Sequence, residues 1–295
     1  MLNSGFYTAL GTPLDSGGWL AAGSFAREVE DQVRFGASGL LVMGSMGLGV
    51  FLRHSEYVRT ARTAVEAAGQ SCPVFVGVTD TSVGRACDRI DALAGLKIDG
   101  VVATAPYYYT VSDRELVQFY SALAQYSPFP VYLYDLPFAA RNKITLQTMI
   151  GLKNEKNIKG IKTGDLKLAL QLQQMVDAQE YREDFHVLYS GLDTFDQAYA
   201  QGIIRNLDGM FACTGKIGQA MYKALAAGDQ AAGTARLMEI VRLRDTFAQE
   251  QIFPSFTYAM NLLGYEGIFH PDYYFQPSAG QMEKIKACMQ EFQLI

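Results

Sequence analysis

Short apolar runs alternate with amphipathic stretches along residues 6 to 215 of the chain. The runs are rich in Val, Ile, Phe and Tyr, a composition typical of strands. Between them, apolar residues recur at helical spacing, as in Phe25, Val29 and Val33, and Ser24 and Ser82 are candidate helix N-caps. The pattern predicts eight strands, at residues 6–13, 39–44, 73–79, 100–106, 131–137, 158–163, 186–191 and 208–215.

Strands that alternate with helices indicate repeated βα units around a parallel sheet. Eight such units match the size of a (β/α)8 TIM barrel, so an α/β barrel is predicted, with a doubly wound open sheet as the alternative. The remaining residues lack the strand pattern and are predicted to be helical, with no linker rich in Pro, Gly or Ser before them. We therefore expect a barrel over residues 1–216 and a helical extension over residues 217–295, packed on the barrel.

Composition and charge narrow the class of protein. Hydrophobic residues make up 49% of the chain, the net charge is -5, and no window collects basic residues, so nucleic acid is not an expected partner. No stretch approaches the roughly 20 apolar residues of a membrane span, and the N-terminus does not resemble a signal peptide. The four cysteines and three histidines are too scattered for a disulfide framework or a metal site. We expect a soluble, cytoplasmic protein.

A lysine stands at one predicted strand end. In a barrel of this kind the active site lies at the C-terminal ends of the strands, and Lys162 ends the apolar run IKGIKT together with Thr163. Burial in an apolar barrel lowers the pKa of a lysine, and the neutral amine is a nucleophile toward a carbonyl group. Lys162 is therefore a candidate Schiff-base nucleophile; alternatively, it reaches solvent or pairs with an acid such as Asp165.

Other polar groups lie at neighbouring strand ends. Tyr134, one strand before the lysine, could exchange protons during imine formation, although tyrosine also packs well in strands. The run GSMGLG, residues 44–49, follows the second strand and either holds an anion on its backbone N–H groups or is simply a tight turn. Its spacing is neither GxGxxG nor a P-loop. Asp80 and Lys216 are either contacts for a longer substrate or charges on solvated loops.

Several segments together resemble the dihydrodipicolinate synthase and N-acetylneuraminate lyase family of class I (Schiff-base) aldolases. The segments are TALGTPLDSGG, GSMGLG where the family has G-S/T-T-G-E, APYYY, YLYDLP against Y-N-x-P, IKGIKTGD against G-x-K-x-x-x-(D/N), and LYSGLD. They follow one another in the family's order along almost the whole chain. Agreement in order, spacing and barrel position is more specific than any single motif.

The resemblance implies a role for each matching residue. Lys162 would form an imine with a 2-oxo acid, usually pyruvate, and Tyr134 would be the general acid and base. Ser45 would link Tyr134 to a relay tyrosine, Tyr108, which in relatives reaches into the site of a neighbouring subunit. A homotetramer built as a dimer of dimers is therefore implied, without a metal or organic cofactor. The implied substrate-binding residues are Gly44, Met46, Gly47, Thr163, Gly191 and Asp193.

The chain departs from the family pattern at both ends of the expected site: the donor end, where the 2-oxo acid would bind, and the acceptor end, where the aldehyde would bind. Met46 stands where the family has a second hydroxyl residue, so the cradle for the substrate carboxylate loses one hydrogen bond. Dihydrodipicolinate synthases bind the carboxylate of aspartate semialdehyde with an arginine at the position of Ala139, and Arg141 lies only two residues away. The sugar-acid lyases bind acceptor hydroxyls with an aspartate that Asp193 matches, although Thr194 follows it in place of an acid.

The expected function is that of a lysine-dependent aldolase or lyase. It would reversibly cleave a 2-oxo acid, with a 2-keto-3-deoxy sugar acid as one candidate, into pyruvate or an analogue and an aldehyde. The alternatives are a hydratase or dehydratase that uses the same imine, dihydrodipicolinate synthase proper, and a non-catalytic protein that binds a 2-oxo acid.

Overall fold

Eight parallel strands close into one barrel in the computed structural model, which describes all 295 residues. Each strand pairs with its neighbour in sequence, and β8 pairs with β1 to close the ring. The predicted (β/α)8 barrel is confirmed, and the open-sheet alternative is wrong. Strands β1 to β8 span Gly5–Ala9, Gly39–Val42, Val74–Gly77, Gly100–Thr104, Val131–Asp135, Ile158–Thr163, His186–Tyr189 and Arg205–Asp208.

Twelve helices surround or extend the barrel. Ser82 accepts the N–H of Arg85 and caps α3, as predicted, whereas α1 begins at Ala22, so that Ser24 lies inside the helix and is not its cap. None of the twelve is both long and apolar enough to cross a membrane. Helices α1 to α12 span Ala22–Arg34, His54–Ala68, Val83–Ala92, Asp113–Tyr126, Pro137–Ala140, Leu146–Leu152, Leu166–Asp177, Phe195–Ala200, Phe211–Ala226, Gln230–Phe247, Ile252–Leu262 and Ala279–Glu291.

Large side chains fill the inside of the barrel. Tyr7, Phe75, Tyr132 and Leu207 belong to a cluster of nine buried residues, in which the rings of Phe75 and Tyr132 meet edge to face at 5.0 Å. A second cluster of 68 buried residues lies between the strands and the surrounding helices. The barrel interior is therefore a packed core, and a site can form only at its ends.

The eighth strand lies earlier in the chain than predicted. The run 208–215 was expected to be a strand, but β8 ends at Asp208 and α9 begins at Phe211. The strand itself has the sequence RNLD, whose polar residues hide it from a search for apolar runs, whereas the apolar run forms the first turn of a buried helix. Lys216 therefore lies within α9 and not at a strand end.

The C-terminal part of the chain is helical, as predicted. Helices α9 to α12 pack mainly on one another, and α9 also contacts β1 and α1 of the barrel. The division of the chain at residue 216 stays a prediction, since α9 runs through that position.

Glu28 of α1 is a buried acid beneath the end of β1. It is 0% exposed; its Oε1 accepts the N–H of Gly11 at 2.9 Å, whereas its Oε2 has no partner. Burial raises the pKa of this carboxyl well above its usual 4.5, and the hydrogen bond from Gly11 opposes the rise only partly. The folded protein therefore holds a proton on Glu28 at pH values where the unfolded chain has lost it.

The Glu28→Gln variant should be less sensitive to pH than the wild type. A raised folded-state pKa contributes stability below the unfolded-state pKa of 4.5, and this stability is lost as the pH rises toward the folded-state pKa. Each pKa unit corresponds to about 1.4 kcal/mol, so the variant should gain on the wild type above pH 4.5. Denaturant unfolding across pH measures this difference; a difference that does not change with pH would contradict it.

Candidate active site

Lys162 and Tyr134 face each other at the C-terminal ends of two adjacent strands. They are register partners between β6 and β5, and they are only 4% and 5% exposed. The Nζ atom of Lys162 lies 4.1 Å from the centroid of the Tyr134 ring. Lys162 makes no ion pair, because Asp165 pairs instead with Lys143 at 3.2 Å. The alternatives of a solvated or salt-bridged Lys162 are therefore wrong.

A serine connects the tyrosine to the glycine-rich turn. The Oγ atom of Ser45 lies 3.0 Å from the hydroxyl oxygen of Tyr134. The turn is wound tightly: a Cβ on Gly49 would lie 2.0 Å from the carbonyl oxygen of Met43, so only glycine fits there. Thr12 of the β1 end donates a hydrogen bond to the carbonyl oxygen of Gly47 at 2.7 Å. The turn is thus fixed to the strands on both sides of it.

The same turn carries a row of unused hydrogen-bond donors. The backbone N–H groups of Ser45, Met46 and Gly47 donate no hydrogen bond within the chain, whereas that of Gly49 is bonded to Gly44 at 3.1 Å. Backbone N–H groups almost always find an acceptor when they are buried. Consecutive free N–H groups in a turn form a concave site for an anion.

Asp80 braces the turn from the end of β3. It is buried and forms ion pairs with Arg85 and Arg89, and Arg89 also donates a hydrogen bond to the carbonyl oxygen of Gly49 at 3.0 Å. Burial alone would raise the pKa of Asp80, but hydrogen bonds from Arg85, from the N–H of Thr81 and from Arg89 outweigh it and lower the pKa. Asp80 is therefore neither a free substrate contact nor a solvated charge.

Thr163 takes part in a polar network behind the lysine. Its hydroxyl donates to the buried Asp135 at 2.8 Å and accepts the N–H of Asp165 at 3.0 Å. Asp135 also accepts the N–H of Ile144 at 3.0 Å and forms an ion pair with Lys143. Thr163 is fully buried, so its hydroxyl ties the ends of β5 and β6 together.

Tyr108 lies on the loop after β4 and projects into solvent. It is 69% exposed, has a φ of 90°, and its ring meets that of Tyr109 edge to face at 5.0 Å. It makes no hydrogen bond to Ser45 or Tyr134 in its own chain. Asn142 holds this loop: its amide donates to the carbonyl oxygens of Pro106 and Tyr109 and accepts the N–H of Val111. Sequence reasoning missed Asn142, because its partners lie more than 30 residues away.

An open pocket of about 630 Å³ adjoins this loop at the ends of β4 and β5. Ala139 and Arg141 line it side by side, although sequence spacing alone left the direction of Arg141 open. The pocket therefore offers one cation among aromatic rings. Its remaining lining residues are Tyr107, Tyr108, Tyr109 and Thr110.

Asp193 follows β7 and is already paired. Arg244 of α10 binds both of its oxygens, at 2.6 and 2.7 Å, and hydrogen bonds from this arginine lower the pKa of Asp193. Gly191, two residues earlier, passes so close to Tyr189 that a Cβ would lie 2.2 Å from the tyrosine hydroxyl. Asp193 thus presents an arginine–carboxylate pair to the barrel mouth instead of a lone carboxylate.

Asp208 is the last residue of β8, whereas the predicted strand 208–215 placed it at a strand start. Its Oδ1 accepts the N–H of Met210 at 2.8 Å. Burial raises the pKa of this carboxyl, and Lys162 is the charge that opposes the rise most. Thr214, within the predicted strand 208–215, lies instead in α9, where its hydroxyl donates to the carbonyl oxygen of Met210.

The closed barrel of eight parallel strands defines the chain as a (β/α)8 TIM-barrel protein, as the sequence predicts. A sequence profile described as "Dihydrodipicolinate synthetase family" matches residues 2–287. The chain therefore belongs to this family, and the predicted resemblance is confirmed.

Relatives and solved structures agree with this assignment. The 4-hydroxy-tetrahydrodipicolinate synthase of Pseudoalteromonas atlantica is 30% identical over 176 residues, which cover 59% of this chain and 60% of that protein. The match thus spans less than two thirds of that relative, whereas the synthase of Moorella thermoacetica is 29% identical over 80% of both chains. The crystal structure of dihydrodipicolinate synthase from Thermotoga maritima has a TM-score of 0.92 at 20% identity and full coverage of both chains. That of the prophage family member YagE from E. coli K12, in complex with pyruvate, has a TM-score of 0.89 at 21% identity, again over both whole chains.

Proposed function

We propose that this protein is a lysine-dependent aldolase that cleaves a 2-oxo acid reversibly into pyruvate, or a close analogue, and an aldehyde. The observation that carries the proposal is the state of Lys162: it is buried, has no ion-pair partner, and lies over the ring of Tyr134. An amine is a nucleophile toward a carbonyl group, and this one is held at a strand end with no carboxylate bound to it. The hydroxyl of Tyr134, joined to Ser45, supplies an adjacent group for proton transfer.

The reaction would begin with imine formation. The Lys162 amine attacks C2 of the 2-oxo acid, and Tyr134 gives a proton to the departing hydroxyl, which leaves as water. Removal of the proton from the C4 hydroxyl then breaks the C3–C4 bond, whose electron pair passes into the iminium and gives an enamine and an aldehyde. Protonation of the enamine at C3 and addition of water release pyruvate and restore Lys162.

The free N–H groups of Ser45, Met46 and Gly47 support a 2-oxo acid as the donor. They belong to the turn that Ser45 joins to Tyr134, the neighbour of Lys162, and consecutive N–H groups of this kind suit a carboxylate one bond away from the carbonyl carbon under attack. We assign Gly44 and Gly47 a backbone role in this cradle. The solved structure of a family member in complex with pyruvate agrees with this choice of ligand class.

Borohydride reduction in the presence of pyruvate should attach the ligand to Lys162. Intact-mass spectrometry should find the adduct in the wild type and in Lys159→Ala, which removes a lysine of the same strand that pairs with Asp184. The adduct should be absent from Lys162→Ala. An adduct that persists without Lys162, or stabilisation by pyruvate without any adduct, would favour a different nucleophile or a binding protein.

The exposure of Tyr108, together with its lack of a hydrogen bond to Ser45 or Tyr134 in its own chain, supports a role for it in the site of a neighbouring subunit. We propose that its hydroxyl completes the proton relay of a neighbouring subunit, next to that subunit's Ser45 and Tyr134, within a homotetramer built as a dimer of dimers.

Complementation between two inactive variants tests this arrangement. Lys162→Ala and Tyr108→Phe should each lose most activity, by about 10²-fold or more for a group that transfers protons. Mixed after dissociation and reassociation, they should regain part of it, since a hybrid pair contains one site with both groups intact. Mixing Lys162→Ala with Tyr134→Phe is the negative control: since Tyr134 faces Lys162 within one chain, every site of the mixture lacks one of the two groups, and that pair should regain nothing. Recovery in neither mixture would contradict a shared site.

Dihydrodipicolinate synthase activity is a second candidate, favoured by the position of Arg141. This arginine lines the pocket beside Tyr108, where the carboxylate of aspartate semialdehyde could bind it in place of an arginine at Ala139. The named relatives are synthases of this kind.

Arg141→Ala should then raise KM for aspartate semialdehyde about tenfold or more, the cost of one charge-assisted hydrogen bond, while pyruvate trapping stays unchanged. Arg114→Ala, which removes an arginine of α4 that makes no ion pair, is the control and should change neither. A wild type that condenses pyruvate with sugar aldehydes but not with aspartate semialdehyde would exclude this candidate.

A hydratase or dehydratase would instead yield a product that keeps the whole carbon chain.

A further inference from the structure

The side chain of Met46 lies over the end of β8. A Cβ placed on Gly209 would lie 2.7 Å from the Cε atom of Met46, 3.0 Å from its Cγ and 3.1 Å from its Cβ, so this side chain fills the space over the glycine. Gly209 comes two residues after Leu207, which belongs to the cluster of nine buried residues inside the barrel. Because side chains alternate along a strand, position 209 faces the interior as well. Met46 therefore occupies space inside the barrel mouth.

Met46 and Lys162 are connected through the packing of the barrel interior. The two register partners of Lys162 are Tyr134 on β5 and Leu188 on β7, and both belong to the interior cluster. Met46 packs against the same cluster and keeps part of its own surface accessible. In the order of the strands, Lys162 of β6 thus lies between the contact of Ser45 with β5 and the contact of Met46 with β8.

The two sides of this opening differ in polarity. On the β5 side, the hydroxyl groups of Tyr134 and Ser45 lie 3.0 Å apart. On the β7–β8 side, the Met46 thioether and the side chains of Leu188 and Leu207 are apolar. A ligand held at Lys162 would therefore have hydroxyl groups on one side and an apolar surface on the other.

We propose that Met46, seated over Gly209, limits the donor to 2-oxo acids that carry no substituent at C3, such as pyruvate. The inference deepens the proposed function and rests on it, since it assumes a carboxylate on the glycine-rich turn and an imine at Lys162. Met46 is close to such a ligand by covalent geometry, because its free N–H group and its side chain share one Cα.

The geometry of the imine directs C3 toward the apolar side. Three groups surround C2 in one plane: the carboxylate on the N–H groups of residues 45–47, the nitrogen of Lys162, and C3. The hydroxyl that leaves C2 takes a proton from Tyr134, so the β5 side is used for proton transfer. C3 then points toward β7 and β8, where the Met46 thioether has already filled the space over Gly209.

The same arrangement leaves the aldehyde free to react. In the enamine, C2 and C3 lie in one plane, and a substituent on C3 would lie in that plane, toward Met46. The aldehyde instead adds to C3 from a face of the plane, so its approach does not pass through the space that the thioether fills. The proposed limit therefore applies to the donor and not to the acceptor.

The first test compares pyruvate with 2-oxobutanoate, which has one more methyl group on C3. Both acids are trapped on the wild type with borohydride, and intact-mass spectrometry gives the half-saturating concentration of each. Because forcing a methyl group into a filled space is costly, the value for pyruvate should be lower by about tenfold or more.

Variants of Met46 identify the side chain responsible. Met46→Ala empties the space over Gly209 and should bring the two half-saturating concentrations to within about threefold of each other, whereas Met46→Leu conserves volume and should keep most of the preference. Met238→Ala, which removes a partly exposed methionine of α10, is the matched control and should keep all of it.

Gly209→Ala tests the same contact from β8. Its new methyl group would meet the thioether, so Met46 must move toward the ligand, and the preference for pyruvate should rise by about threefold or more. The double variant Met46→Ala/Gly209→Ala has no thioether to displace, so its preference should stay below that of the wild type.

The outcomes separate this proposal from the proposed function. A wild type that traps the two acids equally well, a preference that Met46→Ala retains, or an effect of Gly209→Ala that persists without Met46 overturns the role of Met46 while leaving the imine chemistry intact. Trapping of neither acid by the wild type overturns the proposed function, and this inference with it.

Discussion

The register between β5 and β6 is the constraint on which the rest of the site depends. It sets Tyr134 beside Lys162, with both side chains directed into the barrel. Because side chains alternate along a strand, a slip of one residue would turn the lysine out of the barrel and bring Thr163 in. The hydrogen bond from Thr163 to Asp135, one register position further on, fixes the correct alignment. The ion pair of Asp135 with Lys143 then holds that buried carboxylate in place.

The polar groups near the barrel mouth divide into two sets. Those with partners inside the chain form the frame: Asp135 with Thr163, Asp80 with Arg89, and the carbonyl oxygens of the glycine-rich turn. Those without partners are the amine of Lys162 and the N–H groups of residues 45–47, and Tyr134 links the two, because it lies beside Lys162 and bonds to Ser45. Unpaired buried polar groups cost stability, so a fold that satisfies its frame and leaves these groups free is arranged to receive a ligand.

The barrel could be predicted from the sequence because seven of its strands are apolar runs. The position of the eighth strand was predicted wrongly, for a physical reason. In β8, Arg205 and Asn206 carry polar side chains, so its place in the sheet comes from pairing with β1 and not from its own hydrophobicity. The lysine, the tyrosine and the turn were predictable since each ends an apolar strand. The residues that follow β8 were not, because their position depended on the misplaced strand. Likewise, the Arg244 pair and the Asn142 clamp join segments more than 30 residues apart, which no local pattern reveals.

This contrast between local and long-range contacts also separates the two ends of the site: the donor end, where the 2-oxo acid would bind, and the acceptor end, where the aldehyde would bind. The donor end is built from adjacent strands and one short turn, so its residues can be predicted from short stretches of the sequence. The acceptor end is built from the loops after β4, β5 and β7 together with Arg244, which reaches the barrel mouth from a helix of the C-terminal part of the chain. There, Arg244 turns Asp193 from a free carboxylate into one half of an ion pair, and so changes what the same aspartate can bind. A matching aspartate in the sequence therefore does not imply a matching acceptor, because the specificity of that residue depends on a partner 51 residues away.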